Sequence, residues 1–247
     1  MDVTILFSTT ILLLSLIIIG TFLCLPLFQW SFQKLFRSSL FVKIMWWIPL
    51  YIILMLLVFI QLPFAIPLVI LILTLATMEY HRGTAAKATI LSLSYFTLFS
   101  IATFSLILIF GLLRSEVAVQ LILVICFASV LSDVCAFFFG NYLSKHPLPT
   151  WINPGKSWEG VSGQIVGAFV GACLLWIATG ITAPWWLILT IGIASATGDI
   201  FNSIVKRQLG IKDWGNTIPG HGGVLDRMSS LSLALGVSFV AVLLVTL

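Results

Sequence analysis

VAVQLILVICFASVLSDVCAFFFGNYL, Val117 to Leu143, is the stretch whose reading decides the fold class. Its one charged side chain is Asp133. A helix of this length rises about 40 Å at 1.5 Å per residue, which exceeds the ~30 Å hydrocarbon core of a bilayer. A run this long and this apolar predicts a membrane-spanning helix that carries a carboxylate at membrane depth. Lipid offers the backbone no hydrogen bonds, so helices are the expected solution for every such run.

Working outward, the same pattern recurs at 5–25, 41–61, 63–80, 88–113, 161–180, 183–206 and 229–247, which makes eight expected spans. The long fourth and fifth spans leave room for a break, and a tight turn containing Pro63 joins the second to the third. The chain is 60% hydrophobic and 8% charged, with a mean hydropathy of +1.18. Soluble domains carry about 25% charged residues. The expectation is therefore an all-α, polytopic integral membrane protein. One membrane domain is expected over 1–247, with N-terminal helices in 1–113 and the helices and loops that carry the polar motifs in 114–247. The four cysteines lie in apolar runs without paired spacing, which reads as small buried hydrophobes. The N-terminus lacks a basic region and a small-residue cleavage site, so it reads as a retained span.

The connecting loops test the span count. Basic residues follow the first, third, fifth and seventh spans, while the loops between them are neutral or balanced. Eleven of the twelve basic residues then share one side. The positive-inside rule makes that side cytoplasmic and puts both termini outside.

Two acids, Asp133 and Asp199, lie inside spans at matching depth. Carboxylates there face a bundle interior, a cavity or a partner. The alternative is a helix–helix hydrogen bond. Hard oxygen ligands suit magnesium, which binds one or two carboxylates together with substrate phosphates. The loop NPGKSWEG, Asn153 to Gly160, brings Lys156 and Ser157 to a helix start, where backbone N–H groups favour phosphate oxygens. A capped interfacial loop anchored by Trp158 is an equal reading.

The third polar concentration is KRQLGIKDWGNTIPGHGGVLDR, Lys206 to Arg227. Lys206, Arg207, Lys212 and Arg227 suit phosphates, Asp226 suits a metal, and glycines around His221 let backbone approach a ligand. Contact of the basic residues with lipid headgroups accounts for the lysines and arginines, but not for the acids and glycines. GQIVGAFVGA, Gly163 to Ala172, reads as close helix packing through small residues. Glu79, Tyr80, His81 and Arg82, at the end of the third span, read as headgroup contacts or a self-paired helix end and receive no site role.

The run Ser203-Ile-Val-Lys206-Arg207, Lys212-Asp213, Pro219-Gly220-His221-Gly222-Gly223 and Asp226-Arg227 resembles the signature of CDP-diacylglycerol synthases, or phosphatidate cytidylyltransferases. SDVCAFFFGN and NPGKSWEG resemble earlier segments of that family in the same order. The recognisable similarity covers about the last 120 residues. The resemblance implies transfer of CMP from CTP to phosphatidic acid, giving CDP-diacylglycerol and pyrophosphate, with magnesium (Mg2+) and room for a second cation.

Under that reading Asp199, Asp226, Lys206 and Arg207 are catalytic, and Asp133, Asp199 and Asp226 bind metal. Lys156, Ser157, Ser203, Lys212, Asp213, His221, Gly222, Gly223 and Arg227 bind substrate. The partners implied are CTP, a lipid phosphate, the bilayer and a second copy of the chain, with no nucleic acid. The short N-terminus points to a prokaryotic inner membrane, with the motif loops cytoplasmic.

Two positions depart from the family pattern. Asn202 stands where a glutamate is usual, and Ser229 where an aspartate is usual, so two carboxylates are missing from the expected metal region. This keeps open a divergent paralogue using another lipid phosphate or nucleotide, and a catalytically weakened binding or regulatory member. A transporter fits less well, because the polar residues cluster on one face instead of lining a path.

Overall fold

The computed structural model describes residues 3–218 and 222–246. Helix α1 spans Val3–Cys24 and is followed by a 3-10 turn at Leu25–Phe28, then short α2 (Phe32–Phe36) and α3 (Ser39–Met45). The long helices follow: α4 (Trp47–Ile60), α5 (Leu62–Thr84), α6 (Ile90–Leu112), α7 (Ser115–Tyr142), α8 (Trp158–Thr179) and α9 (Trp185–Leu209). A single turn, α10 (Val224–Arg227), precedes the last helix, α11 (Ser229–Thr246). Among the described residues seven segments are long and apolar enough to cross a membrane, and α11 adds a shorter apolar helix. The chain is thus a polytopic all-α membrane protein, as the hydropathy pattern predicts.

The differences from the expected spans are local. The fourth and fifth spans, α6 and α7, run unbroken. The expected second span is divided at Trp46 into α3 and α4. The joint between α4 and α5 is made by Gln61, at φ 58°, and not by Pro63. Pro63 sits in the first turn of α5, where its missing N–H costs no helical bond.

The core of the bundle is α7, whose buried face includes Leu121, Ile122, Val124, Ile125 and Ala128. Helix α8 lies against it along a glycine seam. A Cβ on Gly167 or Gly171 would run into the carbonyl oxygens of Leu131 and Phe127, and one on Gly163 would press on Phe139. Without Cβ atoms the two backbones approach closely, which is how helices associate where lipid removes the hydrophobic drive between them. Gly198 does the same between α9 and α11, where a Cβ would strike the carbonyl oxygen of Ser229.

A second core under the site packs Tyr95, Phe99, Val205, Trp214 and Leu225. Trp214 stacks on Tyr95 with ring centroids 6.0 Å apart and planes 7° from parallel. These packings bring the C-terminal halves of α5, α7 and α9 to the same end of the bundle as the N-termini of α8 and α11.

Candidate active site

At that end a polar cavity of about 190 Å³ opens, lined by Asn153, Lys156, Asp199, Asn202, Ser203, Lys206, Asp213, Asp226 and Arg227. Four chain segments build it. The 144–157 loop folds back on itself through bonds from Leu148 N–H to Lys156 O (2.8 Å) and from Trp158 N–H to His146 O (3.0 Å). The glutamate after the loop, Glu159, accepts from the His146 ring at 2.7 Å and clips it shut. Ser157 caps α8 by accepting from Gly160 N–H at 3.1 Å. Lys156, one residue earlier, is thereby aimed into the cavity.

Its ammonium donates to Asp199 Oδ2 at 3.1 Å and to the Asp199 carbonyl oxygen at 3.2 Å. Gln164 Nε2 donates to the same carboxylate oxygen at 3.1 Å, and Ser229 Oγ donates to Oδ1 at 3.1 Å. A second lysine–aspartate pair faces the same space: Lys206 donates to Asp226 Oδ1 at 2.5 Å. Asp226 Oδ2 accepts from Trp214 N–H (2.8 Å) and Gly223 N–H (3.0 Å). Lys206 and Asp226 are well covered, with side chains 14% and 6% exposed. Two lysine–aspartate pairs thus face one opening, with Asp213 and Arg227 also at its wall.

Asp133 lies one layer deeper on α7. Its Oδ2 accepts from Ser230 Oγ at 3.1 Å, and its buried Oδ1 has no hydrogen-bond partner among the described residues. Ser229 and Ser230 are adjacent on α11, so one turn of that helix touches both intramembrane acids. No group of three or more His, Cys, Asp or Glu side chains is placed to hold an ion by itself among the described residues. Magnesium keeps several waters and shares its ligands with phosphates, so it does not require such a cage. The carboxylates of Asp199, Asp213 and Asp226 at the cavity and the unpartnered Oδ1 of Asp133 are the hard oxygen donors that this region offers.

The departures at 202 and 229 have local partners. Asn202 Oδ1 accepts from the Trp214 indole N–H at 2.7 Å, and its Nδ2 donates to the Leu225 carbonyl at 3.4 Å. An ionised glutamate accepts but does not donate, so the amide suits this pair of partners. Ser229 likewise donates to Asp199, which a second carboxylate would repel.

Of the residues singled out in the sequence, Lys156, Asp199, Ser203, Lys206, Asp213, Asp226 and Arg227 line the cavity. Gly223 meets Asp226 through its N–H, and Gly222, at φ 86°, lies against the same carboxylate. Arg207 and Lys212 are exposed and are not among the lining residues. His221 lies outside the described residues. Gln164, Trp214 and Glu79 were missed as contributors. Glu79 is not a headgroup contact: it is 2% exposed and accepts from Val224 N–H (2.8 Å), Leu225 N–H (2.9 Å) and the Thr217 hydroxyl. Its position at the end of an apolar span concealed this, because its partners come from 138 to 146 residues away.

Comparison with known proteins identifies the family. The chain matches the model of the cytidylyltransferase family over residues 2–245. It is 42% identical over 118 residues to a phosphatidate cytidylyltransferase of Brucella suis, covering 45% of this chain and 43% of that protein. It is 39% identical over 111 residues to the Pseudomonas aeruginosa protein of the same name, covering 43% of this chain and 41% of that one. It is 39% identical over 107 residues to the Mycobacterium leprae protein, covering 42% and 34%. Each match thus spans less than half the length of the relative. With the family model matched almost end to end, the chain belongs to the cytidylyltransferase family.

Proposed function

We propose that this protein transfers CMP from CTP to phosphatidic acid, giving CDP-diacylglycerol and pyrophosphate. The observation that carries the reading is the paired arrangement of Lys156–Asp199 and Lys206–Asp226 around one cavity at the end of a membrane bundle. The names of the relatives supply the substrate class.

The chemistry asks for little proton transfer. An anionic phosphate oxygen of the lipid attacks the α-phosphorus of CTP. The bond from that phosphorus to the bridging oxygen breaks, and its electron pair leaves with pyrophosphate. The difficulty is bringing anions together, which fixed positive charge and hydrogen-bond donors overcome. Lys156, Lys206 and Arg227 would take phosphate oxygens, with Arg227 suited to bidentate contact. Asp199 and Asp226, with Asp133 behind them, would hold magnesium. When bound, that ion would neutralise phosphate charge and orient the leaving group. Each lysine now rests on an aspartate, so substrate and metal together would exchange these internal pairs for a lysine–phosphate and a carboxylate–metal contact. Asn202 and Ser203 would line the walls as neutral hydrogen-bonding groups.

By the positive-inside rule the cavity would face the cytoplasm, the compartment that supplies CTP, in the inner membrane of a prokaryotic cell. Pairing of two copies would be a further level of assembly.

The test is turnover by purified protein of CTP and phosphatidate with magnesium, against a panel of other lipid phosphates and nucleotides. CDP-lipid and pyrophosphate in equal amounts support the reading. No product across divalent ions and the whole panel, with ligand still bound, overturns it and favours the binding or regulatory member that Asn202 and Ser229 bring to mind.

A further inference from the structure

The best-enclosed carboxylate near the site belongs to a residue that the proposed transfer does not use. Glu79, on α5, is 2% exposed, and each of its described hydrogen bonds comes from the segment leading into α10. We propose that Glu79 is a positioning residue: its two oxygens fix the backbone of Val224 and Leu225, and so set where Asp226 and Arg227 stand in the cavity. This rests on the cytidylyl-transfer reading for its catalytic consequence, though not for the anchoring itself.

The geometry is specific. Oε1 accepts from Val224 N–H at 2.8 Å and from the Thr217 hydroxyl, while Oε2 accepts from Leu225 N–H at 2.9 Å. The first amides of a helix have no partner within it, and burying them unmet is costly. Asp226 takes the preceding amide, that of Gly223, at 3.0 Å. Two carboxylates therefore take three consecutive N–H groups, one from the distant α5 and one from the site itself. Gly223 is matched to this arrangement, because a Cβ there would run into the Glu79 carboxylate. Through Thr217 the same side chain also ties the near end of the loop, whose far end it holds at Leu225. The next residues along are Asp226, paired with Lys206, and Arg227 at the cavity wall. A shift of the Val224–Leu225 backbone moves both.

Two substitutions separate positioning from mere space filling. Glu79→Gln keeps size but turns one acceptor into a donor that faces N–H groups. Glu79→Asp keeps two acceptors on a shorter stem. If Glu79 only fills space, Gln is the milder change; if it anchors by two acceptors, Asp is.

The experiment uses the full chain in detergent or nanodiscs, with two readouts. Amide hydrogen exchange follows the peptide containing Val224 and Leu225, with α8 as internal reference. Turnover of CTP and phosphatidate is measured across magnesium concentrations. In Glu79→Gln, exchange at Val224 and Leu225 should accelerate at least about tenfold with α8 unchanged. Its kcat should fall about tenfold or more, with half-saturation by magnesium shifted upward. Glu79→Asp should lie between parent and Gln in both. Unchanged exchange in Glu79→Gln overturns the anchor, as does faster exchange in Asp than in Gln. Accelerated exchange with full activity overturns the positioning role. Should Glu79→Gln fail to fold, Glu79→Asp decides alone: exchange and kcat both at parental values overturn the proposal, and a partial loss in both supports it. A parent that turns over no lipid phosphate overturns the proposed function, while the exchange readout still decides the anchor.

Discussion

Replacing Ser229 with aspartate should make the protein depend on divalent cation for its stability. Ser229 is 3% exposed and its hydroxyl donates to Asp199 Oδ1 at 3.1 Å. A carboxylate there exchanges a donor for a negative charge beside another. Two like charges 4 Å apart repel by about 4 kcal/mol at an effective dielectric constant near 20. Asp199 is 27% exposed and already touches the Lys156 ammonium, so screening reduces the net cost to about 2 kcal/mol. For a chain of this size that is a loss of about 4–8 °C in Tm. A cation bound between the two acids reverses it, because magnesium at a hundred times its Kd returns about 2.7 kcal/mol. The assay is thermal unfolding of parent and Ser229→Asp in detergent, each with chelator and with saturating magnesium. The variant should melt below the parent in chelator and recover in magnesium, while the parent shifts less. A variant that melts at the same temperature in both conditions would refute the placement of a cation beside Asp199.

Three further outcomes follow from the geometry. Trp214→Phe keeps the stack on Tyr95 but leaves Asn202 Oδ1 without its indole donor, and should cost about 1–3 kcal/mol in denaturant or thermal unfolding. Lys156→Met removes a cavity cation and leaves Asp199 without its lysine, so the KM for CTP should rise about tenfold or more in steady-state assays. Gly167→Val drives a side chain into the Leu131 carbonyl on α7, and should lower stability by about 1–3 kcal/mol or prevent folding, read by thermal unfolding and yield.

Much of the architecture was legible before any coordinates. Hydropathy is a local property, and the bilayer tests each segment by its own length and polarity, so the spans could be read one at a time. Thr89 and Ser157 cap α6 and α8 through their own N–H neighbours, which is why those starts fall close to the expected boundaries. The break at Trp46 and the joint at Gln61 escaped, because an apolar run reads the same whether its backbone bends or not. The glycines of α8 were also legible, since small residues spaced along one face have few uses other than close approach.

The site was legible in its parts but not in its wiring. Charges in so apolar a chain mark themselves, and Lys156, Asp199, Lys206, Asp226 and Arg227 could be picked out on type and span position alone. Which lysine meets which aspartate is a matter of distance between the 144–157 loop, α9 and α10, segments whose paired residues lie 20 to 43 positions apart. Ser157 shows a local use that the motif did not announce: its hydroxyl oxygen accepts from Gly160 N–H and caps α8. Glu79 shows the limit most plainly. In sequence it ends an apolar helix beside Tyr80, His81 and Arg82, indistinguishable from an interfacial charge. Only the packing of α5 against α10 and the loop before it turns Glu79 inward and supplies the three donors that make its burial affordable.

Sequence alone therefore determined that this is a multi-span helical membrane protein with its polar chemistry gathered at one end, because transfer between water and lipid acts on each segment separately. Tertiary structure decided which charges neutralise one another, which carboxylate faces the cavity and which holds the loop in place. Those are pairwise energies that fall steeply with distance, and distance between remote residues exists only once the helices have packed.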